Sequence, residues 1–170
     1  MKDPNTFSRV EEAERIIAQL VEKYPELLWA VQPNLIRVMG IDNRERTDKT
    51  VAKKPVYAKC RAVKGSEKAV FDDEGIKIRF IIELYWSDWN RWSYKLQQAV
   101  LLSQLLEITP EEGCKYRPDC VGFKVLLNSL GVNWDRQFET IPDLLNEEVD
   151  FDLDLRPGLE QNGEDSEDEE

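Results

Sequence analysis

Residues 99–106 read Ala-Val-Leu-Leu-Ser-Gln-Leu-Leu, apolar on nearly every side of a helix. A surface helix carries one apolar stripe, whereas a helix that is apolar all round has to be enclosed by the rest of its fold. The segment therefore predicts a central helix that begins by Ser93 at the latest and runs to Ile108, where Thr109-Pro110 stops it. Ser87 and Asp88 offer caps just upstream.

The elements that enclose it are legible from periodicity. Ser8-Arg9-Val10-Glu11 has the form of a capping box, and Val10, Ala13, Ile17, Leu20 and Val21 follow at helical spacing. A first helix over 9–24 is expected, ended by Pro25. A short strand over 35–39 should stop at Gly40, and the polar stretch 41–54 reads as an exposed loop. Residues 56–63 alternate as a half-buried strand, and 64–74 form a charged turn. Residues 76–86 alternate again, with Ile76, Ile78, Phe80, Ile82, Leu84 and Trp86 on one face. Beyond the central helix, Asp119 is a good N-cap for a last strong helix over 121–130, closed by Gly131. The order predicts an α+β fold, a small twisted sheet of three or more strands with helices packed on one face.

Charge is distributed unevenly. The whole chain carries −11, and residues 147–170 alone hold twelve acids against one base, Arg156, so residues 1–146 net to zero. The expected organisation is one domain over 1–146 and an acidic tail over 147–170, largely disordered from about Arg156 onward. No apolar run is long enough to span a bilayer, and the start, Met1-Lys2-Asp3-Pro4-Asn5, has no apolar signal segment. A cytoplasmic location is expected. Cys60, Cys114 and Cys120 form no even framework and read as free thiols in a reducing compartment.

The chain contains no His, which excludes Ser-His and Cys-His couples outright. There is no Gly-rich phosphate loop and no nucleophile elbow. Two polar residues one turn apart, Ser103 and Glu107, interrupt the apolar helix. Either they mark a former site, or Ser103 bonds back to a helix carbonyl and Glu107 sits at an exposed helix end.

Several strings, in order, resemble the phage metallopeptidase family, a zincin-like HExxH group. Val56-Tyr57-Ala58-Lys59-Cys60-Arg61-Ala62-Val63 is similar to one family strand, and Ile78-Arg79-Phe80-Ile81-Ile82-Glu83-Leu84 to its long strand before the active-site helix. Trp89 or Trp92 followed by Gln97-Gln98-Ala99-Val100-Leu101-Leu102 resembles the lead-in to that helix. The family then has His-Glu-Leu-x-His, whose two His share a helical face and grip one zinc while the Glu works on the metal-bound water. Here Ser103 and Glu107 stand at the ligand positions and Gln104 at the general-base position. Pro118, in Pro118-Asp119-Cys120-Val121-Gly122-Phe123, falls where a third His is expected. The resemblance implies a zincin-like fold, a vacated metal site and no catalysis. It also implies an edge strand along the old cleft, where an extended peptide can add by backbone hydrogen bonds.

No metal and no cofactor are expected. Ser is a poor zinc ligand, and Gln is no general base. Oxygen ligands from Glu107, Asp119 and Glu111 or Glu112 would suit a hard cation, but no loop spacing supports one. The spacing of Cys114 and Cys120 is wrong for a zinc knuckle.

Tyr85, Trp86, Trp89, Trp92 and Tyr94 are more aromatics than a short helix start easily buries. They are either core or, for Trp86, Trp89 and Trp92, partly exposed anchors at the cleft mouth for a protein partner. Basic residues from Arg44 to Lys68 are either a solvated surface or a patch for an anionic partner. The reading that follows is a non-catalytic, metallopeptidase-like phage protein that binds a host or phage protein, a defence factor among them. Neither nucleic acid nor membrane is expected as a direct partner. The alternative is an acidic mimic of nucleic acid that inhibits a nucleic-acid-binding protein, with Glu164, Asp165, Glu167 and Asp168 among its working carboxylates.

Overall fold

A computed structural model describes residues 6–42, 58–111, 115–116, 122–136 and 140–158 of the chain. Within them run β1 (Thr6–Arg9), α1 (Glu11–Lys23), β2 (Ile36–Asp42), β3 (Ala58–Ala62), α2 (Gly65–Asp73), β4 (Phe80–Tyr85), α3 (Trp86–Trp89), α4 (Tyr94–Leu105) and α5 (Lys124–Leu130). The strands form one sheet in the order β1-β2-β4-β3, with β2 and β4 parallel and the outer pairs antiparallel. The α+β class expected from periodicity is observed.

α4 is the centre of the body. Leu96, Ala99, Val100, Leu101, Leu102 and Leu105 are all buried, and α1, whose buried residues are Ala13, Ile16, Ile17 and Leu20, packs against it. Ile36, Val38, Cys60, Phe80, Ile82 and Leu84 complete this core from one face of the sheet. Ser93 caps α4 by accepting the Leu96 N–H at 3.2 Å. The helix ends at Leu105, three residues before the expected Ile108, because Leu106 and Glu107 already turn toward an isolated bridge between Ile108 and Lys115.

Several expectations are corrected. The capping box does not form: Ser8 lies in β1, a strand that periodicity did not reveal, and α1 starts after Val10 with no side-chain cap. Three acids in its first turn and Lys23 in its last suit the helix dipole instead. Gly40 does not stop β2, which continues to Asp42. The charged stretch after Lys64 is the helix α2, none of whose residues is buried. Its Phe71 packs onto a small second cluster of Val63, Ile78 and Ile81 on the opposite face of the sheet. Ile76 and Ile78 belong to that cluster, so the single alternating face read over 76–86 breaks below Phe80. The last helix begins at Lys124; Pro118, Asp119 and Val121 lie outside the described residues.

Burial does not end at residue 146. Phe151 is 6% exposed and meets the Tyr24 ring edge-on at 5.1 Å. Gln98, wholly buried on α4, donates to Asp143 Oδ1 at 3.0 Å and accepts the Leu144 N–H at 2.7 Å. Lys23 and Tyr24 both donate to the Leu144 carbonyl, at 2.8 and 2.6 Å. Arg156 donates to the Glu26 carbonyl at 3.1 Å. Residues 147–156 therefore touch the body through Phe151 on Tyr24, the Asp150 carbonyl on Ser129 and Arg156 on the Glu26 carbonyl. Residues 159–170, with Glu164, Asp165, Glu167 and Asp168, lie outside the described residues.

Candidate functional site

The last turn of α4 faces β3, and its polar residues are engaged with the fold. Ser103 donates to the Val100 carbonyl at 2.6 Å, a back-bond within its own helix. Gln104 accepts the backbone N–H of Cys60 with its Oε1 at 2.9 Å, across from α4 to β3. Glu107 forms an ion pair of 3.2 Å with Lys115, and Lys115 also donates to the Cys60 carbonyl at 2.7 Å. The Tyr116 N–H donates to the Glu107 carbonyl at 2.7 Å, which holds the Lys115 segment in place.

Cys60 is the focus of this arrangement. It stands opposite Ile82 in the antiparallel pair, and among the described residues β3 is the terminal strand in the sheet order. Its N–H goes to Gln104 and its C=O to Lys115, so both groups point away from β4, toward the edge. At Cys60 this edge is thus capped, its N–H by Gln104 and its C=O by Lys115.

Burial sets the electrostatics. It raises the Glu107 carboxyl above its ordinary range, against the opposing pull of Lys115. It pushes the Cys60 thiol up to about 12, with the Glu107 charge adding and Lys115 opposing. The thiol is accordingly neutral near neutral pH and a poor nucleophile or metal ligand. Tyr24 is likewise pushed up to about 12 by burial and the nearby Glu148 and Asp143.

Cys60 and Tyr24 are both acids with folded values above their unfolded ones. Their stabilisation is fully present below the ordinary thiol value near 9 and is lost as pH rises toward 12. Urea unfolding midpoints are expected to fall steadily from pH 9 to 11, and to fall less steeply in Cys60→Ala. Equal slopes in the two proteins would contradict this assignment.

The donor set does not fit zinc. A tetrahedral site needs three or more deprotonated N, S or O ligands around an open position. Here a hydroxyl is turned back into its helix, an amide holds a strand, a carboxylate is committed to Lys115 and the nearest thiol is protonated. Among the described residues, no group of three His, Cys, Asp or Glu side chains is placed to hold a metal ion. Glu111 is exposed, while Glu112, Cys114 and Cys120 lie outside the described residues.

The aromatic expectation is corrected in part. Trp89 is 2% exposed, so it is core and cannot anchor a partner. Trp92 is partly buried, edge-on to Trp89 at 6.2 Å. Trp86 is partly buried too, and donates its indole N–H to Ser8 Oγ at 2.7 Å above Gly40. The exposed tryptophan is Trp29, at 49%, a residue to which periodicity assigned no role. It borders a pocket of about 130 Å³ at the start of β2 and β4, lined also by Gln32, Arg79, Thr109 and Pro110. Of the basic stretch, Arg61 is paired with Glu67 and Glu83, and residues 44–57 lie outside the described residues. Lys115 had no sequence signal, because its partners lie across a loop and 55 residues upstream.

The family model described as "Putative phage metallopeptidase" matches residues 5–130, which is β1 through α5. The chain belongs to that family. No curated protein and no solved structure matches it. The stitched segment over 140–158 lies beyond the span that this phage metallopeptidase match covers. No helix among the described residues is long and apolar enough to cross a membrane.

Proposed function

We propose that this phage metallopeptidase family member has no peptidase activity and works in the host cytoplasm as a protein-binding module, against a host or phage protein such as a defence factor. The observation that carries the reading is the bond from the Cys60 N–H to Gln104 Oε1. Peptide hydrolysis by a zincin needs a metal-bound water and a carboxylate to take its proton. The residue at that carboxylate position is a neutral amide whose oxygen is used to hold a strand. Ser103 and Glu107, at the ligand positions, are likewise spent on internal contacts.

A scaffold with a full core and no catalytic equipment is useful for its surface. Trp29 beside its pocket has the character of a binding anchor, since exposed tryptophans next to a cavity dominate many interfaces. Protein purified without chelator in zinc-containing medium is expected to carry no stoichiometric zinc; one zinc per chain together with peptide hydrolysis would sink the proposal. Tagged full-length protein should capture its partner from host lysate, and a chain ending at 158 should capture it equally. Trp29→Ala should weaken capture about thirtyfold, the effect of losing about 2 kcal/mol at an interface centre. Capture lost with residues 159–170, and strongly salt-dependent, would favour the mimic of nucleic acid instead.

A further inference from the structure

We propose that Gln104, Glu107 and Lys115 form a seal on the edge of β3 that keeps it from pairing with the β3 edge of a second copy of this chain. The inference is independent of whether the protein binds a partner. Edge strands present unpaired N–H and C=O groups that template association, and folded proteins blunt them with charged side chains and covering segments. Here both outward groups of one residue are capped, the Cys60 N–H by Gln104 and the Cys60 C=O by Lys115.

The choice of a second copy as the excluded occupant follows from geometry. In an antiparallel pair, directly opposed residues of one type exchange both of their N–H···O=C bonds. Cys60 directs both groups to the edge, so a two-fold related copy would satisfy each Cys60 with the other, a self-complementary contact. Ala58, Cys60 and Ala62 are small, and no proline or glycine interrupts β3. Arg61 is neutralised by Glu67 and Glu83, which removes one charge that would otherwise repel the copy. Exposed Lys59 adds positive charge on the same strand, and the ammonium of Lys115 occupies the Cys60 carbonyl itself. Its position is fixed by the ion pair to Glu107, by the bridge at Ile108 and by the Tyr116 N–H. Two positions that the resemblance assigns to peptidase chemistry thus serve to close the edge that the chemistry would have used.

The test compares the full chain with Lys115→Ala and Lys115→Arg by sedimentation velocity over a concentration series, with near-ultraviolet circular dichroism to verify folding. Lys115→Ala is expected to associate at least tenfold more strongly than the parent. The Cys60 amide, already bonded to Gln104 in the parent, should exchange more slowly in the associated form than in the parent. Lys115→Arg should behave as the parent does. Should Lys115→Ala fail to fold, Glu107→Gln, which loosens the ammonium without removing it, decides by the same readouts with a smaller shift in the same direction. A folded Lys115→Ala, or in its place a folded Glu107→Gln, that sediments as the parent does at every concentration overturns the proposal. Association that leaves the Cys60 amide exchanging no more slowly than in the parent overturns it as well, because the contact then lies elsewhere.

Discussion

Gly40→Val is expected to destabilise the protein by about 2–4 kcal/mol, from overpacking plus a lost hydrogen bond. A Cβ at position 40 would lie 2.5 Å from Trp86 Cε2 and 2.9 Å from Cδ1, well inside contact distance with a rigid ring. The indole cannot simply slide away, because its N–H is bonded to Ser8 Oγ in β1. Strand β2 cannot retreat either, being paired on both sides, with Ser8 and Leu84 opposite Gly40. Chemical unfolding of the variant against the parent gives the cost. A double-mutant cycle assigns it: combined with Trp86→Leu, the Gly40 substitution should cost much less, since the ring that it strikes is gone. A cost unchanged by Trp86→Leu would place the strain elsewhere.

Phe151→Ala is expected to cost about 3–5 kcal/mol, as for other buried aromatic truncations. The ring is 6% exposed in the main core and meets Tyr24 edge-on, so its removal leaves a cavity against α1. The segment around it is held on either side, by Ser129 donating to the Asp150 carbonyl and by Arg156 donating to the Glu26 carbonyl, which limits its freedom to collapse into the void. Residues 159–170 contain one apolar side chain, Leu159, and ending the chain after Gly158 should by contrast change stability by less than about 0.5 kcal/mol. Thermal or urea unfolding of both variants checks the contrast. A Phe151→Ala cost within that same small range would show that residues 147–158 do not belong to the folded unit.

Burial and period were legible wherever they are local properties. The all-round apolar run over 99–106 predicted α4 as the central helix, and it is; alternation predicted the β3 and β4 strands to within a few residues. The misses have physical causes. β1 is four residues long, too short for a period to show, and it is held by pairing with β2 rather than by its own pattern. α2 has no buried residue, so it carries no apolar stripe to read. Gly40 resembled a strand stop, but its small size serves the Trp86 ring lying on it. Between the acids from 147 onward stand apolar residues, and which of them enters the core, Phe151, depends on the Tyr24 ring that it meets.

For the site, the residues themselves settled one matter. A chain without imidazole cannot build the two-His grip of an HExxH helix, whatever its fold, and that exclusion needs only the amino-acid types. What Gln104, Glu107 and Lys115 do instead was decided by tertiary structure. The shared target of Gln104 and Lys115, the backbone of Cys60, lies 44 residues from the one and 55 from the other, and Glu107 acts on it only through its ion pair with Lys115. Helical and strand periods repeat over a few residues and are written along the chain. A hydrogen bond between distant segments depends on how the sheet and helices bring those segments within 3 Å, and no local pattern encodes it.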